Sequence, residues 1–271
     1  MNLSQISQEI LKSLQVNKKK IHTFFINSNK DFGTRYCFID NLLPDEIALK
    51  IAENFPKITK MRLLNSHREK KYTSKNFKSF NKLIYDTALA FQQKEIINTI
   101  SEITNIPNLE NDISFYAGGL SSMVKGNFLN PHLDNSHNYD LTHYRNLNLL
   151  YYVTPDWNES DGSHLHLWDS KVERNKIILS KFNRLVLMET NDKSWHSVSV
   201  CENKYLARNC ISNYYFSKKS VSGYEYSNVT MFSALPHQKY MRIFCKLDNH
   251  IRQSLRVFFK KGLSKKDLNT N

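Results

Sequence analysis

His132 and Asp134 stand two positions apart in the stretch NPHLDNSH, residues 130–137. On a β-strand, side chains two apart project to the same face, so an imidazole and a carboxylate would take neighbouring positions around a cation. A third donor must then come from a distant strand, and SWHSVSV offers His196. Two histidines and one carboxylate bound facially, with positions left open, form the donor set of non-haem iron(II) oxygenases. The same residues would also suit a zinc site or a hydrogen-bonded polar cluster. The pair alone is weak, because it arises by chance in many proteins. Arg208, in RNCISNYYFS, adds weight as a strand-borne guanidinium able to clamp the remote carboxylate of an organic cosubstrate. His137 reads as an exposed loop residue. His164 and His166 in SHLHLWD also alternate, but Leu165 and Leu167 claim the core and leave both histidines outward, without a metal.

These residues need a framework of strands. From residue 112 onward come short runs rich in aromatic and β-branched residues, NLNLLYYVT, SHLHLWD, NRLVLMET, WHSVSV and RNCISNYYFS, separated by turn formers. Many short strands without long intervening helices predict an antiparallel sandwich or barrel of the jelly-roll class. Before them, Ile6, Ile10, Leu11 and Leu14 predict a short helix that NKKK at 17–20 ends, ahead of a strand in IHTFFI. DNLLPDEIALKIAENFP places Pro44 and two acids ahead of an amphipathic helix, and further helices are expected around 79–92 and 94–105. Up to about residue 110 the chain thus reads as mainly helical. The expected fold is α+β with a mainly β core, divided into a helical support over 1–110, a catalytic core over 111–220 and a basic extension over 221–271, all one integrated domain.

The chain has 271 residues, with 38 Lys and Arg against 25 Asp and Glu, a formal charge of +13 that favours acidic partners. Cys37, Cys201, Cys210 and Cys245 form no CxxC pair, no signal-like apolar segment opens the chain, and no transmembrane run occurs. The expectation is a cytoplasmic protein whose thiols are small buried hydrophobes. In the C-terminal segment, Ile243, Phe244, Leu247, Ile251, Leu255, Phe258 and Phe259 recur at helical spacing among Lys246, Arg252, Arg256, Lys260 and Lys261. The first expectation is a helix packed on the core with a solvated basic face. The alternative is peripheral contact with an anionic membrane. The last residues, SKKDLNTN, are expected to be disordered. Nucleic acid is disfavoured, since the basic residues are scattered and no aromatic stacking platform accompanies them.

PHLDNSH, RNLNLLYYVTPDWNESDGSHLHLWD, FNRLVLMETNDKSWHSV and ARNCISNYYFS together resemble the Fe(II)- and 2-oxoglutarate-dependent dioxygenase superfamily, in its prolyl 4-hydroxylase-like branch. The resemblance covers roughly residues 112–217 and implies a double-stranded β-helix, cupin-like, with helices supporting it at the N-terminus and extending it at the C-terminus. It implies His132, Asp134 and His196 as iron ligands, Arg208 as partner of the cosubstrate's remote carboxylate, and Tyr152 and Ser212 as further residues of that subsite. It implies Fe(II), 2-oxoglutarate and O2 as the reactants that hydroxylate an unactivated C–H bond, with succinate and CO2 as coproducts and ascorbate as a further candidate cofactor. Halogenating relatives lack the carboxylate that Asp134 provides, which favours hydroxylation. One departure stands out: the usual glycine pair before the L-x-L-W strand is Gly162 followed by Ser163, which puts that turn in question.

The substrate expected from charge and family is a glycan, nucleotide sugar or other small biosynthetic molecule; a protein prolyl side chain is the alternative. A reading of another class is a binding module of the same fold without catalysis.

Overall fold

The computed structural model describes residues 2–28, 32–112, 115–116 and 118–258. Helix α1 (Leu3–Asn27) buries Ile6, Ile10, Leu14, Ile21 and Phe25 in one stripe, and a capping box between Asn2 and Gln5 starts it. The helix therefore runs through NKKK and takes up IHTFFI, where a break and a strand were expected. Lysine is a good helix former, and Ile21 and Phe25 fall in phase with the earlier apolar turns, so tertiary packing carries the helix onward.

Strand β1 (Tyr36–Ile39) follows, then α2 (Asp45–Glu53), which begins directly after Pro44 with two acids in its first turn. Strands β2 (Arg62–Asn65) and β3 (Glu69–Thr73) form a hairpin, and α3 (Lys82–Phe91) and α4 (Lys94–Thr104) complete the helical layer. The segment before residue 110 thus contributes three strands as well as helices.

The remaining strands are β4 (Gly119–Met123), β5 (Phe128–Leu133), β6 (Tyr144–Tyr152), β7 (Leu165–Trp168), β8 (Asn175–Ile178), β9 (Arg184–Glu189), β10 (His196–Val198), β11 (Arg208–Ser217) and β12 (Met231–Phe232). All pair antiparallel in one curled sheet of order β1-β9-β6-β11-β4-β3-β5-β10-β7-β8, with β12 beside β5 and β2 beside β3. This is the expected double-stranded β-helix. Its two halves are stitched together by β3, which pairs with β4 at Tyr72 and Thr73 and with β5 at Glu69 and Lys70.

Period-two alternation divides β6, β9 and β11 between two cores. Leu147, Leu149, Tyr151, Leu185, Leu187 and Ile211 face outward and pack with α1, α3 and α4. Tyr152, Val186, Met188 and Cys210 face inward, where they meet Leu165 and Leu167. Both faces are covered, which is why every residue of β9 is buried.

The Gly162–Ser163 turn is intact despite its missing glycine. Gly162 has φ +68°, and a Cβ there would lie 2.1 Å from the Val200 carbonyl oxygen. Ser163 itself adopts φ 52°, and its buried backbone oxygen accepts from the Ser180 hydroxyl. The first glycine is the one sterics demand; the second position tolerates a small side chain held by its surroundings.

Helix α5 (Lys239–Phe258) crosses the outside of β12 with its amphipathicity reversed. Asn249 donates to the Phe232 carbonyl and accepts from the Phe232 amide, while Arg242, Arg252, Gln253 and Arg256 bond to main-chain carbonyls of the core. Its apolar stripe points to solvent, with Tyr240 90%, Ile243 61%, Leu247 60% and Ile251 61% exposed. The expected orientation, apolar side inward and basic side solvated, is corrected: the carbonyls left unpaired around the short β12 strand select the arginine-rich face. Phe259 and the terminal SKKDLNTN lie outside the described residues. Among the described residues, no helix is long and apolar enough to cross a membrane.

Candidate metal centre and cosubstrate cavity

His132 is the penultimate residue of β5, Asp134 follows just beyond the strand, and His196 opens β10, directly opposite His132 in the antiparallel register. Strand pairing therefore brings the distant histidine to the local pair. The rings lie 4.0 Å apart, and one donor atom from each of the three residues lies within 4.8 Å of the others. His132 Nε2 is 3.7 Å from Asp134 Oδ1, and His196 Nε2 is 3.8 Å from Asp134 Oδ2, too far for hydrogen bonds.

Whether these residues suit a cation is decided by what their other atoms do. His132 Nδ1 bonds the Asn130 carbonyl at 3.0 Å and His196 Nδ1 bonds the Ser194 carbonyl at 2.9 Å. A carbonyl only accepts, so each Nδ1 carries the proton and each Nε2 presents a lone pair inward. Asp134 Oδ2 is buried without a hydrogen-bond partner. Burial, with His196 alongside, pushes the His132 imidazole down to about 3, so it stays a neutral donor. For Asp134, burial pushes the carboxyl up, but His196, Arg145, His132 and Lys71 outweigh it and hold the group below its ordinary range. Two inward-facing imidazole nitrogens and a carboxylate with an orphaned buried oxygen form a donor set that fits a divalent cation.

Phe232 stacks on His132 at 5.5 Å, and Arg145 Nη1 stands 3.5 Å from Asp134 Oδ1 with its guanidinium 4.3 Å over the Tyr214 ring. The Tyr214 phenol lies beside Asp134 and accepts from Asn148 Nδ2 at 3.2 Å. Arg145, Asn148 and Tyr214 were not singled out from sequence. For two of them a signal existed: Tyr214 shares parity with Arg208 and Ser212 on β11, and Asn148 shares parity with Tyr152 on β6. Arg145 offered none, because an irregularity in register between β6 and β11 at Tyr215 and Phe216 separates it from the simple alternation.

The triad lies on a cavity of about 410 Å³ inside the sheet, which Arg208, Tyr152 and Ser212 also line. Arg208 is 4% exposed and its Nε has no hydrogen-bond partner. Among the described residues no carboxylate pairs with it; its contacts are the Met123 sulfur and the Tyr152 ring, whose centroid is 5.5 Å from the guanidinium. Burial raises the Tyr152 phenol to about 12, so it remains protonated and can donate. The Ser212 hydroxyl donates to the Gly119 carbonyl at 3.2 Å. To the lining β3 also supplies Lys71, paired with Glu69 at 2.9 Å, and β2 supplies Arg62.

The other histidines stand apart from the triad. His137, expected in solvent, is buried: Nδ1 meets the Ser136 hydroxyl at 2.7 Å and the ring packs 4.2 Å from Tyr144. The chain after Asp134 doubles back to bridge His137 with Tyr144, which closes the loop over the ring. His164 is also buried, beneath the Glu159 carbonyl, while Leu165 and Leu167 fill the core as expected. All four cysteines are buried and free.

Residues 118–216 match the family model of the 2OG-Fe(II) oxygenase superfamily. No curated protein matches the chain by sequence. Among solved structures, a Trichoplax adhaerens prolyl hydroxylase in complex with a hypoxia inducible factor peptide is 20% identical, over 76% of this chain and 92% of that one, with a TM-score of 0.53. A Pseudomonas putida prolyl-4-hydroxylase is 12% identical, over 73% and 99%, with a TM-score of 0.54. SnoN, a non-haem α-ketoglutarate-dependent epimerase of nogalamycin biosynthesis, is 10% identical, over 73% and 81%, with a TM-score of 0.52. At these identities the likeness is one of fold.

Proposed function

Through residues 118–216 the chain belongs to the 2OG-Fe(II) oxygenase superfamily, and on that premise we propose that it hydroxylates a C–H bond of a small, anionic biosynthetic substrate such as a nucleotide sugar or glycan. The observation that carries the reading is the buried guanidinium of Arg208, without an acidic partner, in the same cavity as the three donors. An unpaired buried cation is costly, and a bound dianion with one carboxylate at each end relieves that cost.

In this reading His132, Asp134 and His196 hold iron(II). Their Nδ1 bonds fix the imidazole planes, while the Arg145 guanidinium, stacked over the Tyr214 ring, stands beside the Asp134 carboxylate. Arg208 receives the remote carboxylate of 2-oxoglutarate as a fork, with the Tyr152 phenol beside it and Ser212 on the same face. When bound, iron and 2-oxoglutarate with O2 supply the oxidising power for C–H hydroxylation, with succinate and CO2 released. Leu120, Leu150 and Leu165 line the cavity and limit water there.

The substrate class rests on the cavity lining. Strand β3 is paired on both sides, with β2 and with β4 and β5, so the outer edge of β2 is where an extended peptide would have to join. Arg62 and Lys71, the latter beside Glu69, line the cavity and favour entry of an anionic small molecule. The test is aerobic incubation with Fe(II), 2-oxoglutarate and a panel of nucleotide sugars and proline-containing peptides, followed by mass spectrometry. A one-oxygen gain in an anionic small molecule, absent with His132→Ala, is expected. Oxygen gained only by peptides would transfer the reading to prolyl hydroxylation.

A further inference from the structure

Helix α5 is held by the face that amphipathic helices usually turn to water. Asn249 pairs with both main-chain groups of Phe232, Gln253 pairs with the Ser227 carbonyl and the Val229 amide, and Arg256 reaches Asn135. Asp248, the sole acid between Lys239 and Phe258, is turned toward the core by Arg68 at 2.6 Å and Arg252 at 3.0 Å. These bonds set the helix's rotation, so the outward stripe is a fixed surface.

That surface has one chemistry. Tyr240, Ile243, Phe244, Leu247, Ile251 and Leu255 are 40–90% exposed and follow one another at helical spacing, over about 22 Å of helix at 1.5 Å per residue. Exposed Lys239, Lys246 and His250 flank the stripe on one side. No carboxylate faces outward from the helix. Phe244 meets His67 edge-on at 5.2 Å, which joins the stripe to the β2–β3 hairpin, two of whose residues, Arg62 and Lys71, line the cavity.

We propose that this stripe seats the protein on an anionic membrane surface, with α5 lying in the interface plane. An exposed apolar line with basic flanks and no acids matches the chemistry of such an interface, where the apolar side chains enter the headgroup boundary and the lysine stems extend to phosphates. Charge argues against a second copy as occupant: each chain carries +13, and pairing two stripes would set like-charged flanks side by side. The proposal is independent of which substrate the cavity takes.

Sedimentation of the full chain with phosphatidylcholine vesicles, and with vesicles of equal parts phosphatidylcholine and phosphatidylglycerol, tests it. At least about tenfold stronger partitioning into the anionic vesicles is expected. Ile243→Glu with Leu247→Glu and Ile251→Glu should abolish it, and Lys239→Glu with Lys246→Glu should lower it at least about tenfold. Because the altered side chains are exposed, circular dichroism should be unchanged; Tyr240→Trp provides a second reading, its emission shifting to the blue on anionic vesicles alone. Wild type left in the supernatant, binding unchanged by the glutamates, or a dimer that the glutamates dissociate without any vesicle binding would each overturn the proposal.

Discussion

Arg208 illustrates how a single side chain can be more informative than the cluster beside it. Three metal-competent donors are compatible with several cations, but a buried guanidinium lacking a carboxylate specifies the sign and reach of what must enter. Arg208→Lys keeps the charge and loses the planar fork, so the apparent KM for 2-oxoglutarate should rise about tenfold in a succinate assay, with kcat less affected. An unchanged KM would place the cosubstrate elsewhere. The clustering of these residues was legible because His132, His196 and Arg208 lie on strands and Asp134 just past one, where parity and register are written in the residue pattern. His137 was misread because its burial depends on a chain reversal to Tyr144 and on Arg256 of a distant helix, neither of which local polarity reveals.

At the scale of elements, the β blocks were legible since alternation and turn formers mark each strand, whereas β1, β2 and β3 are short, and β1 and β3 owe their strand character to partners far along the chain. The continuity of α1 was obscured by four polar residues whose helical phase only shows once Ile21 and Phe25 are counted with Ile6, Ile10 and Leu14. A proline at exposed Lys19 tests that continuity: within an unbroken helix it should cost about 3 kcal/mol or more in a denaturant titration, and within a true break almost nothing. Gly162→Ala should cost about 2 kcal/mol or more, since its Cβ would collide with the Val200 carbonyl at a positive φ. A neutral outcome would mean the turn relaxes freely.

Across the whole molecule, helices and barrel share strands β6, β9 and β11 as a common wall, so the site and the helical layer stand or fall together. Acid should expose that coupling in the metal-free protein. Burial, with Arg256 nearby, pushes His137 down to about 4, and burial with His164 does the same for His166. Their ordinary value is 6.5, so above that pH neither state binds the proton and stability is level. Below it the unfolded chain takes up protons the folded chain refuses, and stability falls as pH drops toward 4, by up to about 1.4 kcal/mol per pH unit for each group. His137→Asn should flatten part of this slope in chemical denaturation between pH 6.5 and 4. The reversed polarity of α5 was beyond reach of sequence, because periodicity defines two faces of a helix and leaves open which one finds carbonyls to bond.

The central claim is that one cavity holds iron(II) at His132, Asp134 and His196 and 2-oxoglutarate at Arg208. Anaerobic calorimetric titration of 2-oxoglutarate into the iron(II)-loaded protein tests it most directly. Stoichiometric binding is predicted, lost in His132→Ala and weakened about 10- to 100-fold in Arg208→Ala, in keeping with removal of a charge-assisted bond. Equal affinity in wild type and both variants would contradict the account.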